Sequence, residues 1–111
     1  MSSNKKMYTT AEMQQRVDDY ISQFNTGYFS PLAQMARLTE EVGEMAREVN
    51  HLYGEKPKKD SEQEKAIEDE LGDMLFVMIS FANSLDIDLS DAFNRSITKI
   101  ETRDKDRWNR K

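Results

Sequence analysis

Cysteine is absent from the sequence, and with it every disulfide and every thiolate metal site. That absence suits a reducing compartment, and a cytoplasmic protein is expected. No run of about eighteen apolar residues occurs, so no membrane span is expected. The opening stretch MSSNKKMYTT lacks an apolar run behind its lysines, so it does not resemble a secretory signal. Glycine and proline are scarce, at four and two, while Glu, Lys, Met and Ala abound, which is the composition of helices rather than of turns and sheets. Positive charge is in deficit: 16 Lys and Arg stand against 21 Asp and Glu. A net charge of -5 works against binding a long polyphosphate backbone, but leaves room for a small nucleotide held through divalent cations.

What is present is one domain's worth of chain, 111 residues, with the ends at 1–8 and 106–111 expected to be flexible. Apolar residues recur at helical spacing in four segments, and an all-α, four-helix bundle-like protomer is predicted. The first helix is predicted over about Thr10 to Phe24, on Met13, Val17, Tyr20, Ile21 and Phe24. Ser30 followed by Pro31 is a cap with a first-turn proline, and the second helix should run to Tyr53 with Gly54 as its stop. Polar EKPKKD connects it to a third helix, which Ser61 and Glu64 should open as a capping box and which should end near Leu85. Asp88 caps a fourth helix bearing Leu89, Phe93, Ile97 and Ile100. The run from Leu71 to Leu85 is apolar almost all round, and a single small bundle rarely covers every side of one helix. A homo-oligomer is the economical consequence.

The stretch TEEVGEMAREVN, residues 39–50, places Glu40, Glu41, Glu44 and Glu48 among core-type residues. A second acidic set, Glu68, Asp69, Glu70 and Asp73, lies in IEDELGDM. Glu41 and Glu44 are one turn apart on one helix face, and so are Glu70 and Asp73. Counted at ~1.5 Å per residue, both pairs fall roughly 16 Å from the connector. In a central antiparallel hairpin, which a short connector favours, the four carboxylates are level. An acidic pair at this spacing is most often a solvated face or a partner for lysines. Glu70, however, is in line with Met74, Val77 and Phe81, so this pair borders the apolar stripe. Carboxylates converging there repel one another and require a cation, and an all-oxygen ligand set suits Mg2+ above softer metals.

The paired motif EEVGE at 40–44 and ELGD at 70–73, separated by 25 residues, resembles the EExxE, spacer, ExxD signature of MazG-like nucleotide pyrophosphohydrolases, in the all-α NTP pyrophosphatase superfamily. The likeness covers residues 30 to 105 or so. It implies a homodimer or homotetramer that hydrolyses nucleoside triphosphates to the monophosphate and pyrophosphate with Mg2+, or Mn2+ in its place; whether broadly or as house-cleaning of a noncanonical or deoxy nucleotide stays open in the sequence. Carried over by position, Glu41, Glu44, Glu70 and Asp73 are the implied metal ligands, with Glu40 in a supporting catalytic role. Lys99 and Arg103, i and i+4 on the last helix, loosely match the family's basic phosphate contacts, although a surface pair with Glu101 or Asp104 explains them equally well. Asn83 and Asn94 have weaker claims. The chemistry needs no protein nucleophile, and the chain has no Gly-rich phosphate loop.

Other readings compete. Glu48 and His51 make a single ExxH, whereas a di-iron bundle needs two such motifs and two further acids. A non-catalytic cation-binding helical oligomer, or an interaction scaffold, is the main alternative to an enzyme. Of the seven methionines, Met35, Met45, Met74 and Met78 fit apolar periodicity, which favours core packing over a soft metal lining. Tyr28 and Phe29 could stack on a base or simply seal the loop against the bundle.

Overall fold

The computed structural model describes residues 5–54 and 61–111, the side chains of 61–65 excepted. The fold is all-α: α1 (Thr10–Ile21), α2 (Pro31–Tyr53), α3 (Ser61–Ser84) and α4 (Leu89–Arg103). The connector EKPKKD and the expected capping box of Ser61 with Glu64 lie outside the described residues.

Each described start has a local chemical cause. At α1 the Thr9 hydroxyl accepts from Glu12 N at 3.1 Å, and the Glu12 carboxylate accepts in return from Thr9 N at 2.8 Å. Ser30 Oγ accepts from Ala33 N at 3.2 Å, and Pro31 occupies the first turn of α2, where no amide hydrogen is needed. Asp88 accepts from Ser90 N at 2.8 Å and Asp91 N at 3.4 Å, opening α4 as expected.

The ends are equally specific. α1 stops at Ile21, three residues short of the predicted Phe24, because Gln23 N and Phe24 N bond three residues back, to Tyr20 O and Ile21 O. The tightened turn keeps Phe24 edge-on to Tyr20, ring centres 5.3 Å apart, which is why the apolar periodicity outlasts the helix. At the end of α2, a Cβ on Gly54 would lie 2.3 Å from Asn50 O, so no larger residue fits that backbone. After α3 the chain reverses through Asp86 at φ 57°, with Ile87 N bonding back to Ala82 O at 2.9 Å.

α2 and α3 form the predicted antiparallel hairpin, α1 packs on α3, and α4 packs on α1. Among the described residues the buried core is thin: Val17, Val77, Ile79 and Ala82, accompanied by two polar residues, Gln34 and Ser80. Much apolar surface is left uncovered, including Phe93 at 63% exposure on α4 and Leu71 at 55% on α3. The radius of gyration is 17.4 Å, against about 13 Å for a compact domain of this length, so the single protomer does not enclose its own apolar faces.

A polar clamp holds α1 to the end of α3. The Asn83 amide nitrogen donates to Gln14 O (2.9 Å) and to the Tyr28 hydroxyl (3.0 Å), while its oxygen accepts from Gln14 Nε2 (2.8 Å). Gln14 also donates to Ile87 O and accepts from Leu89 N, so the same side chain positions the start of α4. Asn83, considered above for phosphate, is committed to this clamp.

Candidate metal centre

The α2 and α3 stripes that face each other carry the acids. Glu41 and Glu44 project from α2, and Glu70 from α3, with one carboxylate oxygen of each within 4.8 Å of the other two. The hairpin register counted along the sequence accounts for this meeting. Glu41 and Glu70 are half-buried and Glu44 is exposed, so the cluster sits at the edge of the apolar seam. Glu41 Oε1 and Glu70 Oε1 are shielded from solvent and have no hydrogen-bond partner.

Such an arrangement disfavours full ionisation. Burial, then the close approach of the Glu41 carboxyl and the negative charges of Glu44, Glu41 and Asp73, push the Glu70 carboxyl up to about 7. Asp73 is exposed and outside the tight three-acid set, yet near enough to act on Glu70 through its charge. Glu40 is exposed and also outside that set. Two orphaned oxygens and a carboxyl held toward its neutral form are what a site for a hard divalent cation looks like before the cation's charge is counted. The donor set, carboxylate oxygens alone, fits such an ion.

The basic residues are placed elsewhere. Lys99 and Arg103 lie exposed on α4, whose packing partner is α1. Arg103 donates to both carboxylate oxygens of Asp104 at 3.1 Å, and no ion pair joins either residue to the four acids among the described residues. His51 sits half-buried in the last turn of α2, away from the three-acid set, and Glu48 is not part of that set.

Sequence reasoning missed the polar residues that continue the same stripes. Gln34, Arg37, Glu41 and Glu44 are spaced three, four and three apart on α2, and Glu70, Asp73, Val77 and Ser80 repeat that spacing on α3. The spacing was the available signal. Gln34 is 5% exposed and donates to Phe29 O at 2.8 Å and Ser84 Oγ at 3.1 Å, pinning the loop before α2 to the end of α3.

An all-α hairpin with carboxylates converging across its seam defines a class of helical proteins organised around an acid cluster. Within it, this chain belongs to the MazG nucleotide pyrophosphohydrolase domain family, whose family model matches residues 29–108. It is 63% identical over 103 residues to YpjD of Bacillus subtilis (strain 168), covering 93% of each chain. The crystal structure of YpjD superimposes with a TM-score of 0.78 at 60% identity, over 85% of this chain and 96% of that one. The Bacillus-conserved MazG protein, described as a nucleotide pyrophosphohydrolase, is similar with a TM-score of 0.77 at 59% identity, over 91% and 98% of the two chains. Membership in this family supports hydrolysis of a nucleotide pyrophosphate linkage. No helix among the described residues is long and apolar enough to cross a membrane.

Proposed function

We propose that the protein hydrolyses nucleoside triphosphates to the nucleoside monophosphate and pyrophosphate with Mg2+, Mn2+ being a possible substitute, in the cytoplasm. The observation carrying this reading is the meeting of Glu41, Glu44 and Glu70 with two shielded, unpartnered oxygens, in a chain of this family. Glu41, Glu44 and Glu70 would hold the cation, with Asp73 completing the set. A cation held there supplies charge neutralisation for phosphate oxygens and acidifies an attacking water. Glu40, exposed beside Glu41, orients water at the mouth of the site. The seam itself excludes bulk solvent from one side of the cluster and so strengthens each carboxylate's attraction for the cation.

Lys99 and Arg103 supply positive charge to the phosphates. Because α4 packs on α1 rather than on the acid-bearing hairpin, we assign that pair to the site of an assembled homodimer or homotetramer, which the uncovered apolar faces of α3 and α4 also favour. A panel of NTPs and dNTPs assayed with Mg2+ for pyrophosphate against phosphate release tests the reading, beside Glu70→Gln. Release of phosphate alone, or full activity in the variant, overturns it. The alternative, a cation-binding scaffold without catalysis, predicts metal-dependent stabilisation with no turnover of any nucleotide.

A further inference from the structure

Four residues before Glu41 on α2, about 6 Å along the helix, the acidic stripe gives way to a cavity of about 270 Å³. Its wall is aromatic: Phe24, Phe29 and Phe76 line it together with Tyr28. Phe24 and Phe29 stand 52% and 57% exposed, so neither ring is sealed against the protein on all sides. Two polar groups, one from each helix of the hairpin, line the same wall. Gln34 has both amide hydrogens committed to Phe29 O and Ser84 Oγ, leaving only its acceptor to offer. Ser80 is 6% exposed, and its hydroxyl has no partner although it is shielded from solvent. A buried hydroxyl left without a partner is costly and uncommon, and calls for an explanation. Arg37, exposed and without an ion pair among the described residues, lines the cavity one turn of α2 before Glu41.

We infer that this cavity is the seat of the nucleobase and that Ser80 is the residue that reads the base edge. The inference rests on the pyrophosphohydrolase reading above. Flat aromatic walls stack on any base and carry no preference, so discrimination falls to the few polar atoms among them. The Ser80 hydroxyl can donate and accept, while the Gln34 carbonyl can only accept. Together they complement a base edge that presents an N–H beside a ring nitrogen or carbonyl, and they leave a base lacking that N–H unsatisfied. The spacing of the stripe then sets the rest of the substrate: with the base between Gln34 and Ser80, the sugar passes Arg37 and the phosphates arrive at Glu41, Glu44 and Glu70.

The test is the ratio of kcat/KM among bases for the full-length protein and its Ser80→Ala and Ser80→Thr variants. Removing an unpartnered hydroxyl leaves the fold intact, which thermal melting checks. The alanine variant is expected to reduce the spread between the best and poorest bases about tenfold, mostly through KM, as the loss of one hydrogen bond requires. The threonine variant, which keeps the hydroxyl, retains the wild-type ranking. If the alanine variant keeps both ranking and spread, or lowers every substrate by the same factor, Ser80 does not read the base and the inference falls. A wild-type chain that turns over no triphosphate overturns the functional reading itself, a result distinguishable from unchanged base ratios in an active enzyme.

Discussion

Replacing Asn83 with alanine removes three hydrogen bonds at once: two to Gln14 and one to the Tyr28 hydroxyl, at 2.8–3.0 Å. The groups left behind are not stranded, since Gln14 Nε2 keeps Ile87 O at 2.9 Å and the Tyr28 hydroxyl keeps Asp18 at 2.7 Å. The cost is therefore the net worth of the bonds, about 1 kcal/mol each, without a further penalty for orphaned donors. A loss of about 2–3 kcal/mol follows, or roughly a 10 °C fall in Tm for a chain of this size. Urea unfolding at fixed protein concentration measures it, because assembly makes stability depend on concentration. The Gln14→Ala variant should lose a similar amount, and the double variant clearly less than the sum, since the two side chains share bonds. A loss below about 0.5 kcal/mol for Asn83→Ala, or strict additivity, would refute the view that this clamp holds α1 to α3.

Glu70 makes stability depend on pH in a defined direction. Its carboxyl is raised to about 7 from an ordinary 4.5, so the folded chain binds the extra proton between those values and stability falls as pH rises across that window. Glu70→Gln should flatten the slope, as should saturating Mg2+ in the wild-type chain; an unchanged slope in the variant would assign the effect to other groups. The Tyr28 phenol, desolvated and donating to Asp18, is pushed up to about 12, so ultraviolet titration should show one of the four tyrosines ionising well after the ordinary value of 10. Thr9→Ala removes the α1 cap and should cost about 1 kcal/mol in chemical denaturation with little effect on turnover. Phe93→Glu places a charge on the uncovered face of α4, and sedimentation should show a shift toward monomer; an unaltered mass would place the assembly interface elsewhere.

The elements and part of the acid cluster were legible because they rest on local or periodic chemistry. Ser30, Pro31, Gly54 and Asp88 act on their own backbone neighbourhood, and Glu70 interrupts a line of apolar residues. Counting residues from the connector gave the register that brings Glu70 to Glu41 and Glu44. Asp73 shares a helix face with Glu70, but it is exposed and lies outside the tight set, a detail that spacing alone does not contain. The Gln14 to Asn83 clamp joins residues 69 apart with no periodic mark, so nothing in the order of residues announced it. Gln34 and Ser80 escaped for a different reason: read singly, each is an ordinary helical residue, and their meaning comes only from standing on the same stripes as the acids. The packing of α4 on α1 was likewise invisible, because an amphipathic face states that it needs a partner and not which one.

Those facing stripes also put the proposed cation site and the proposed base site on one hairpin. α2 and α3 each run unbroken from the acids to the aromatic end, so the same two helices wall both ends. If a cation between the carboxylates tightens the grip on a nucleoside at Gln34 and Ser80 by some factor, the nucleoside must tighten the grip on the cation by that same factor. On the proposed reading, selectivity for the base and demand for the metal would then be two expressions of one coupling free energy.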